Sequence, residues 1–278
     1  MHSLEHVYNY FPKGFFDKGI KTLHHYGPTS LLMDSEFFIG KTLKLSPNMV
    51  VIQINDELHR GLSKISKLPF ENKNQIIELI EEPYEKWISK PRALMNYIRD
   101  NYDSLPEYIM YVDASDVAFI DDILNPEEIL NFYNCEVLFN CEPNFASTGF
   151  NFPSAGFYTP LFDEHLQKYK KLNLEKYGVE HEKGLNAGIF LGRKEFVLKM
   201  VTEACEYMSA DVNLGFPYGT MDDQYMFRYL QTIYFNEISC DVYNKFFLFS
   251  FPIAIESDEN HWEHYNYFEK HNIHLYKK

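Results

Sequence analysis

The sequence predicts an α/β fold with a mixed, Rossmann-like central sheet flanked by helices. Tyr108–Val112 is a run of five apolar or aromatic residues, too short for a helix and too continuous for a half-exposed strand. Such a run is typical of a central strand covered on both faces. Residues 49–54 form a second buried run, bounded by turn-forming residues on both sides. Between these two runs, apolar residues recur at helical spacing in the segment that begins at Ser89.

The remaining elements follow from the same periodicity and from start and stop signals. Strands are further predicted at residues 137–140, 185–192 and 245–251. Helices are predicted at residues 14–26, from Ser89 with Pro91 at its first position, from Pro126 after a capping Asn125, from Arg193, and from Asp222. Residues 144–184 are rich in Gly and Pro around a helix-like patch at 166–177, and a long irregular insertion in a compact domain is usually either mobile or functional.

Length and composition limit the class of protein. With 278 residues, 45% of them hydrophobic, the chain can bury one sizeable core, and no composition shift marks a second domain. We therefore expect a single domain over residues 1–278. The formal net charge of −14 argues against a nucleic-acid partner or an anionic membrane surface, because both require clustered Lys and Arg. A phosphate-bearing ligand would need a metal ion here.

Cysteine usage and hydropathy predict a cytoplasmic protein. The four cysteines show no Cys-x-x-Cys pairing, and Cys135 and Cys141 flank a predicted strand whose rise of ~3.3 Å per residue keeps them apart. Reduced thiols are therefore expected. Residues 1–10 lack an apolar signal core, and no run approaches the ~18 apolar residues of a membrane helix.

Two carboxylates, Asp113 and Asp116, follow the central strand directly. In open α/β sheets, ligands bind in the crevice beyond the carboxyl ends of the strands. Two negative charges placed there suit a hard divalent cation, Mn²⁺ or Mg²⁺, completed by water and substrate phosphates. The alternative is that Asp-Ala-Ser-Asp simply closes the strand as a turn, with side chains bonded to the backbone.

Two later segments favour the functional interpretation, namely Leu185-Asn186-Ala187-Gly188 and Asp222-Asp223-Gln224. With Asp113-x-x-Asp116, their order and separation resemble GT-A type glycosyltransferases. The resemblance is closest to the branch that contains the glycosyltransferase domain of procollagen lysyl hydroxylases and its bacterial and viral relatives. It implies a metal-dependent enzyme that moves a sugar from a nucleotide diphosphate sugar, with a UDP-sugar expected, to a hydroxyl of a glycan or protein. The insertion at residues 144–184 is then expected to face this acceptor.

The same resemblance implies a set of site residues in three roles. The implied metal ligands are Asp113, Asp116 and His274, with His271 as the rival of His274. The implied substrate contacts are Lys90, Ser115, Asn186, Gly188 and Gln224. The implied catalytic carboxylates are Asp222 and Asp223, one of which would orient the sugar or accept the acceptor proton. A strand carrying part of the uracil pocket is expected ahead of the first helix, and residues 5–11 are the candidate.

Several alternatives stay open at this point. Lys90 is equally well explained as a solvated charge, and a helix amino terminus favours an acid such as Asp222 without any chemistry. A phosphohydrolase with an aspartyl nucleophile would need a second acid where Ser115 stands. A non-catalytic nucleotide-sugar binding protein of the same fold is the alternative from another class, since fold does not determine function.

Overall fold

The computed structural model describes two sheets and five helices. The described residues are 21–25, 42–55, 70–80, 88–113, 117–119, 121–143, 160–177, 183–209, 223–243 and 245–250. The strands are β1 (Thr22–His25), β2 (Met49–Asn55), β3 (Ile76–Ile80), β4 (Tyr108–Val112), β5 (Val117–Phe119), β6 (Val137–Pro143), β7 (Lys183–Arg193), β8 (Ile238–Cys240) and β9 (Phe247–Ser250). The helices are α1 (Ser89–Asp100), α2 (Pro126–Tyr133), α3 (Pro160–Tyr177), α4 (Lys194–Ser209) and α5 (Asp223–Ile233).

The larger sheet is mixed and has six strands in the order β3-β2-β4-β7-β6-β8. Strands β3, β2 and β4 are parallel, β7 is antiparallel to both β4 and β6, and β8 is parallel to β6. Within this sheet only β7 runs in the opposite direction, so the other five strands end at one edge, which we call the carboxyl edge. The prediction of an α/β fold with a mixed central sheet flanked by helices is confirmed.

Strand β4 lies in the middle of this sheet, and all five of its residues are buried. On one face, Tyr111 stacks on Phe190 of β7 with ring centroids 5.4 Å apart, and Phe139 of β6 lies 5.0 Å from Phe190. Helix α5 covers this face, because the Phe227 ring lies 5.3 Å from that of Phe139. Helices α1 and α4 pack against each other, as do α4 and α5. The prediction of a central strand is confirmed.

The smaller sheet has the order β5-β1-β9, with β1 antiparallel to β5 and parallel to β9. Residues 22–25 were predicted to end a helix over 14–26, and this prediction is wrong for them because they form strand β1. Pairing on both edges of β1 supplies backbone partners that outweigh the helical spacing of a short segment. Residues 14–20, and the candidate uracil-pocket strand at 5–11, lie outside the described part of the chain.

Helix boundaries follow the start signals with small shifts. Helix α1 begins at Ser89, so Pro91 stands at its third position and not at its first. This position is tolerated because the first-turn N–H groups have no intrahelical partner. Helix α2 begins at Pro126 as predicted, but the Asn125 side chain donates to Glu128 Oε2 at 3.1 Å and makes no backbone cap.

The insertion expected at residues 144–184 is more regular than predicted. Residues 160–177 form the 18-residue helix α3, and β7 already begins at Lys183. Lys176 ties the end of α3 to the chain beyond α5, with Nζ donating to Phe235 O at 2.5 Å and to Ile238 O at 3.2 Å. Residues 144–159 and 178–182 lie outside the described residues. That the insertion faces the acceptor stays a prediction.

Burial of the later helices corrects two further details. Helix α4 buries Met200 and Ala204 as predicted, whereas Phe196 and Met208 are only half-buried. Ile233, predicted on the apolar face of α5, is exposed at the end of that helix. All four cysteines are buried and free of disulfide bonds, as expected. Among the helices that the structure describes, none combines the length and apolar character needed to cross a membrane.

Candidate active site at the carboxyl edge

The site begins where β4 ends. Asp113 is the first residue after this strand, and its backbone N–H donates to Gly188 O of β7 at 2.8 Å. The Asp113 side chain is 29% exposed, so it faces the crevice beyond the strand ends rather than the core. This is the position at which open α/β sheets bind ligands.

The Leu-Asn-Ala-Gly motif forms a bulge in β7 beside Asp113. Phe139 of β6 pairs with Phe190, but the next residue, Asn140, pairs with Asn186, so residues 187–189 are extra in β7. The Asn186 side chain closes this bulge by accepting the Gly188 N–H at 2.9 Å. Bulges of this kind re-aim side chains and are common beside active sites.

The amino terminus of α5 is tied to this bulge. Gln224 Oε1 accepts the Ala187 N–H at 3.3 Å, and Arg228 Nε donates to Leu185 O at 3.0 Å. These contacts bring Asp223, the first residue of α5, to the carboxyl edge, where it is buried. The second and third sequence motifs therefore meet through direct hydrogen bonds.

Lys90 joins the two carboxylates. Its Nζ lies 3.1 Å from Asp113 Oδ1 and 2.5 Å from Asp223 Oδ2, and it stands 5.0 Å from the centroid of the Tyr111 ring. Only 9% of Lys90 is exposed, which contradicts its interpretation as a solvated surface charge. The second residue of α1 thus links the end of β4 to the start of α5. We call Lys90, Asp113 and Asp223 the charge cluster.

Electrostatics explain why this lysine stays charged although it is buried. Burial alone would lower the pKa of Lys90, but the neighbouring carboxylates of Asp113 and Asp223 outweigh that effect and hold its pKa well above the ordinary value. Burial, together with the negative charge of Asp113, raises the pKa of Tyr111 well above that of an ordinary tyrosine. Tyr111 therefore remains a hydroxyl donor, and its O–H donates to Asp113 Oδ1 at 2.6 Å.

Tyr111 is the main site residue that sequence reasoning missed. It stands two residues before Asp113, which directly follows the strand, and side chains two apart along an extended chain point to the same side. That spacing was the available signal. Arg228 was also missed, and nothing in its sequence context sets it apart from a surface residue of α5.

The other predicted site residues lie outside the described part of the chain, namely Ser115, Asp116, Asp222, His271 and His274. Of the predicted metal ligands, the structure therefore places Asp113 alone. Among the described residues, no three His, Cys, Asp or Glu side chains are arranged to hold a metal ion. Asp113 itself suits a hard cation, because its carboxylate is an oxygen ligand already oriented by a hydrogen bond from Tyr111.

The chain is thus an α/β protein whose mixed six-stranded sheet is compatible with a Rossmann-like fold. Paired charges lie at the carboxyl edge of this sheet, and two of them, Lys90 and Asp223, are buried. Comparisons with models of known protein families and with curated protein sequences give no match.

Proposed function

We propose that the protein is a metal-dependent glycosyltransferase of the GT-A type. It would move a sugar from a nucleotide diphosphate sugar to a hydroxyl of a glycan or protein. The donor that we expect is a UDP-sugar. One observation carries this proposal: the contacts of Lys90 with Asp113 and Asp223 gather three sequence segments at the carboxyl edge of the sheet. The bulge at residues 187–189 is hydrogen-bonded to both Asp113 and Gln224, which supports the same conclusion.

In this proposal the carboxyl edge handles the diphosphate. Asp113, with Asp116 and His274, would hold Mn²⁺ or Mg²⁺, and the ion would neutralise the charge that develops on the leaving diphosphate. Lys90 would add a second positive charge at the same phosphates, since its ammonium is adjacent to Asp113. Ser115 would contact the donor between the two metal-binding aspartates.

Sugar and acceptor would then lie between the bulge and α5. Asn186, Gly188 and Gln224 would contact the transferred sugar, with the small Gly188 allowing close approach. Asp223 or its neighbour Asp222 would orient the sugar or accept the proton of the acceptor hydroxyl, as a carboxylate at hydrogen-bond distance can. Asp223 is the stronger candidate because it belongs to the charge cluster.

The neighbour of β4 suggests where the base would bind. Strand β2 pairs with β4 in parallel, so β2 and β4 end side by side at the carboxyl edge. We therefore propose that the nucleotide base binds above the end of β2, near the buried Asn55, while the candidate strand at residues 5–11 stays a prediction. Asn55 Nδ2 donates to Glu78 Oε1 of β3 at 2.6 Å, which orients its amide there.

A thermal-shift panel of nucleotide sugars with and without Mn²⁺ tests the proposal. We expect UDP and one UDP-sugar to stabilise the protein only when Mn²⁺ or Mg²⁺ is present. A ligand at one hundred times its Kd adds about 2.7 kcal/mol to the free energy of unfolding. Asp113→Asn should abolish this stabilisation, and Asp103→Asn, on an exposed loop, should not. Equal stabilisation by UDP in EDTA would contradict the metal bridge.

A donor-hydrolysis assay separates the enzyme from a binding protein that has lost turnover. With Mn²⁺ and the UDP-sugar that stabilises best, the enzyme should release UDP slowly even without an acceptor. Metal-dependent binding without any UDP release, and without transfer to any hydroxyl acceptor, would favour the non-catalytic alternative.

A further inference from the structure

The charge cluster contains a feature that the proposed function leaves unexplained. Lys90, nine-tenths buried, is in contact with the expected metal ligand Asp113 and with the expected catalytic carboxylate Asp223. A lysine that served only to bind phosphate would be expected to face the crevice. Here its ammonium is paired with both carboxylates on which metal binding and catalysis would depend.

We propose that Lys90 is an internal counter-ion that is exchanged when the donor binds. Without the donor, its ammonium holds Asp113 and Asp223 together and opposes the binding of a metal ion. When a divalent ion and a nucleoside diphosphate enter together, the ammonium moves from Asp113 to the diphosphate. This inference rests on the proposed function, and it makes metal and diphosphate binding mutually dependent.

Charge supplies the first argument. Nζ of Lys90 lies 3.1 Å from Asp113 Oδ1, so a divalent ion bound to the Asp113 carboxylate would lie within a few ångströms of a buried positive charge. Like charges at that separation repel strongly where water is excluded. A metal ion alone should therefore bind weakly until the ammonium has another anionic partner.

The position of Lys90 in α1 supplies the second argument. Lys90 is the second residue of this helix, where the helix dipole disfavours a positive charge, and the first turn of α1 carries no acidic residue to offset it. The ammonium therefore depends on Asp113 and Asp223 for its stability. Once a metal ion neutralises Asp113, a diphosphate beside the helix start becomes the better partner, and a flexible four-carbon stem allows the short move.

The variant Lys90→Met tests the exchange, because the two expected shifts have opposite signs. We expect Mn²⁺ alone, titrated by electron paramagnetic resonance, to bind at least tenfold more tightly than in the parent protein. We expect UDP in saturating Mn²⁺, measured by calorimetry, to bind at least tenfold more weakly. If the Lys90 ammonium did not oppose metal binding at Asp113, the affinity for Mn²⁺ alone would stay unchanged.

Two further variants serve as controls. Lys90→Arg keeps the charge, and its affinity for Mn²⁺ alone should stay close to that of the parent. Lys171→Met, on the exposed face of α3, should change neither affinity.

Lys90→Gln, which removes the charge but keeps a hydrogen-bond donor, should shift both affinities as Lys90→Met does. It replaces Lys90→Met if that variant fails to fold.

The outcomes distinguish this inference from the proposed function. The exchange is overturned if the parent binds Mn²⁺ and UDP while Lys90→Met and Lys90→Gln bind Mn²⁺ alone no more tightly than the parent does. That result leaves the glycosyltransferase proposal standing. A parent protein that binds neither Mn²⁺ nor Mn²⁺ with UDP overturns both.

Discussion

Two buried aspartates in this protein are stabilised in different ways. Asp223, at the start of α5, is 4% exposed and has the Lys90 ammonium as its ionic partner. Asp241, which follows β8, is fully buried and accepts three backbone N–H groups at 2.7 to 2.8 Å, from residues 245, 246 and 247. The Tyr133 O–H also donates to Asp241, at 2.5 Å.

The difference indicates which carboxylate has a structural role. The donors to Asp241 belong mostly to the backbone of the segment that leads from β8 of the large sheet to β9 of the small sheet, so they cannot exchange without unfolding that segment. The ionic partner of Asp223 is the Lys90 side chain rather than a set of backbone N–H groups. Burial alone therefore does not distinguish the two carboxylates; the nature of their partners does.

The largest effect on stability should come from Asp241→Ala. This change leaves three buried N–H groups and the Tyr133 hydroxyl without their acceptor, and each such group costs about 1 to 3 kcal/mol. We expect the free energy of unfolding to fall by about 3 kcal/mol or more, measured in urea. Asp103→Ala on the surface should change it by less than about 0.5 kcal/mol. A loss below about 1 kcal/mol at Asp241 would show that the connecting segment does not depend on it.

Asp223→Asn should produce the opposite pattern, with a large loss of transfer and a smaller loss of stability than Asp241→Ala, because Asp113 remains an ionic partner of Lys90. The amide keeps the shape of the side chain and an oxygen for Lys90, but it can neither accept a proton nor carry the charge. We expect the transfer rate to fall by about 10²-fold or more. Initial rates with a UDP-sugar and Mn²⁺, beside urea melts, measure both effects. Transfer at the parent rate would mean that the catalytic carboxylate is misassigned.

The structure determines how this position should be tested. Asp223→Ala would remove a partner of the buried Lys90, whereas Asn keeps an oxygen beside it, so Asn is the cleaner substitution. At the preceding residue, Asp222→Ala should mainly cost stability, about 1 kcal/mol, if Asp222 caps α5.

Local patterns predicted the large sheet well. Strands β2, β4 and β7 were found because their side chains are buried on both faces, which leaves continuous apolar runs in the sequence. The small sheet was found only in part, because the strand predicted at residues 245–251 contains β9, whereas β1 was predicted as helix. Its pairing with β5 and β9 joins segments that lie far apart in the chain, and no local pattern reports such pairing.

The candidate site could be predicted only in part, for a related reason. Asp113, Asn186, Asp223 and Gln224 belong to motifs that are visible in the sequence, and the structure brings these motifs together. The ionic partnership of Lys90 is not visible, because a lysine near a helix start looks the same in sequence whether it is exposed or buried between carboxylates.

The smallest effect that we predict is that of Tyr111→Phe. It tests whether Tyr111 positions the expected metal ligand Asp113 without binding the metal ion itself. Tyr111→Phe keeps the ring that stacks on Phe190 and lies beside Lys90, and it removes only the O–H that donates to Asp113. A hydrogen bond to a charged group contributes about 1.5 to 3 kcal/mol, and one between neutral groups about 1 kcal/mol. Because solvent reaches Asp113, we expect a loss of about 1 kcal/mol. This loss corresponds to a roughly fivefold weaker affinity of Tyr111→Phe for Mn²⁺ in the presence of UDP.

Tyr108→Phe is the matched control on the same strand. Its hydroxyl accepts a hydrogen bond from Arg193 Nη1 at 2.8 Å at the other end of β4, away from the charge cluster. Both variants should lose similar stability in urea, and only Tyr111→Phe should weaken Mn²⁺ binding, measured by electron paramagnetic resonance. Equal Mn²⁺ affinities in the two variants would mean that Asp113 keeps its orientation without Tyr111, so that this tyrosine contributes packing alone.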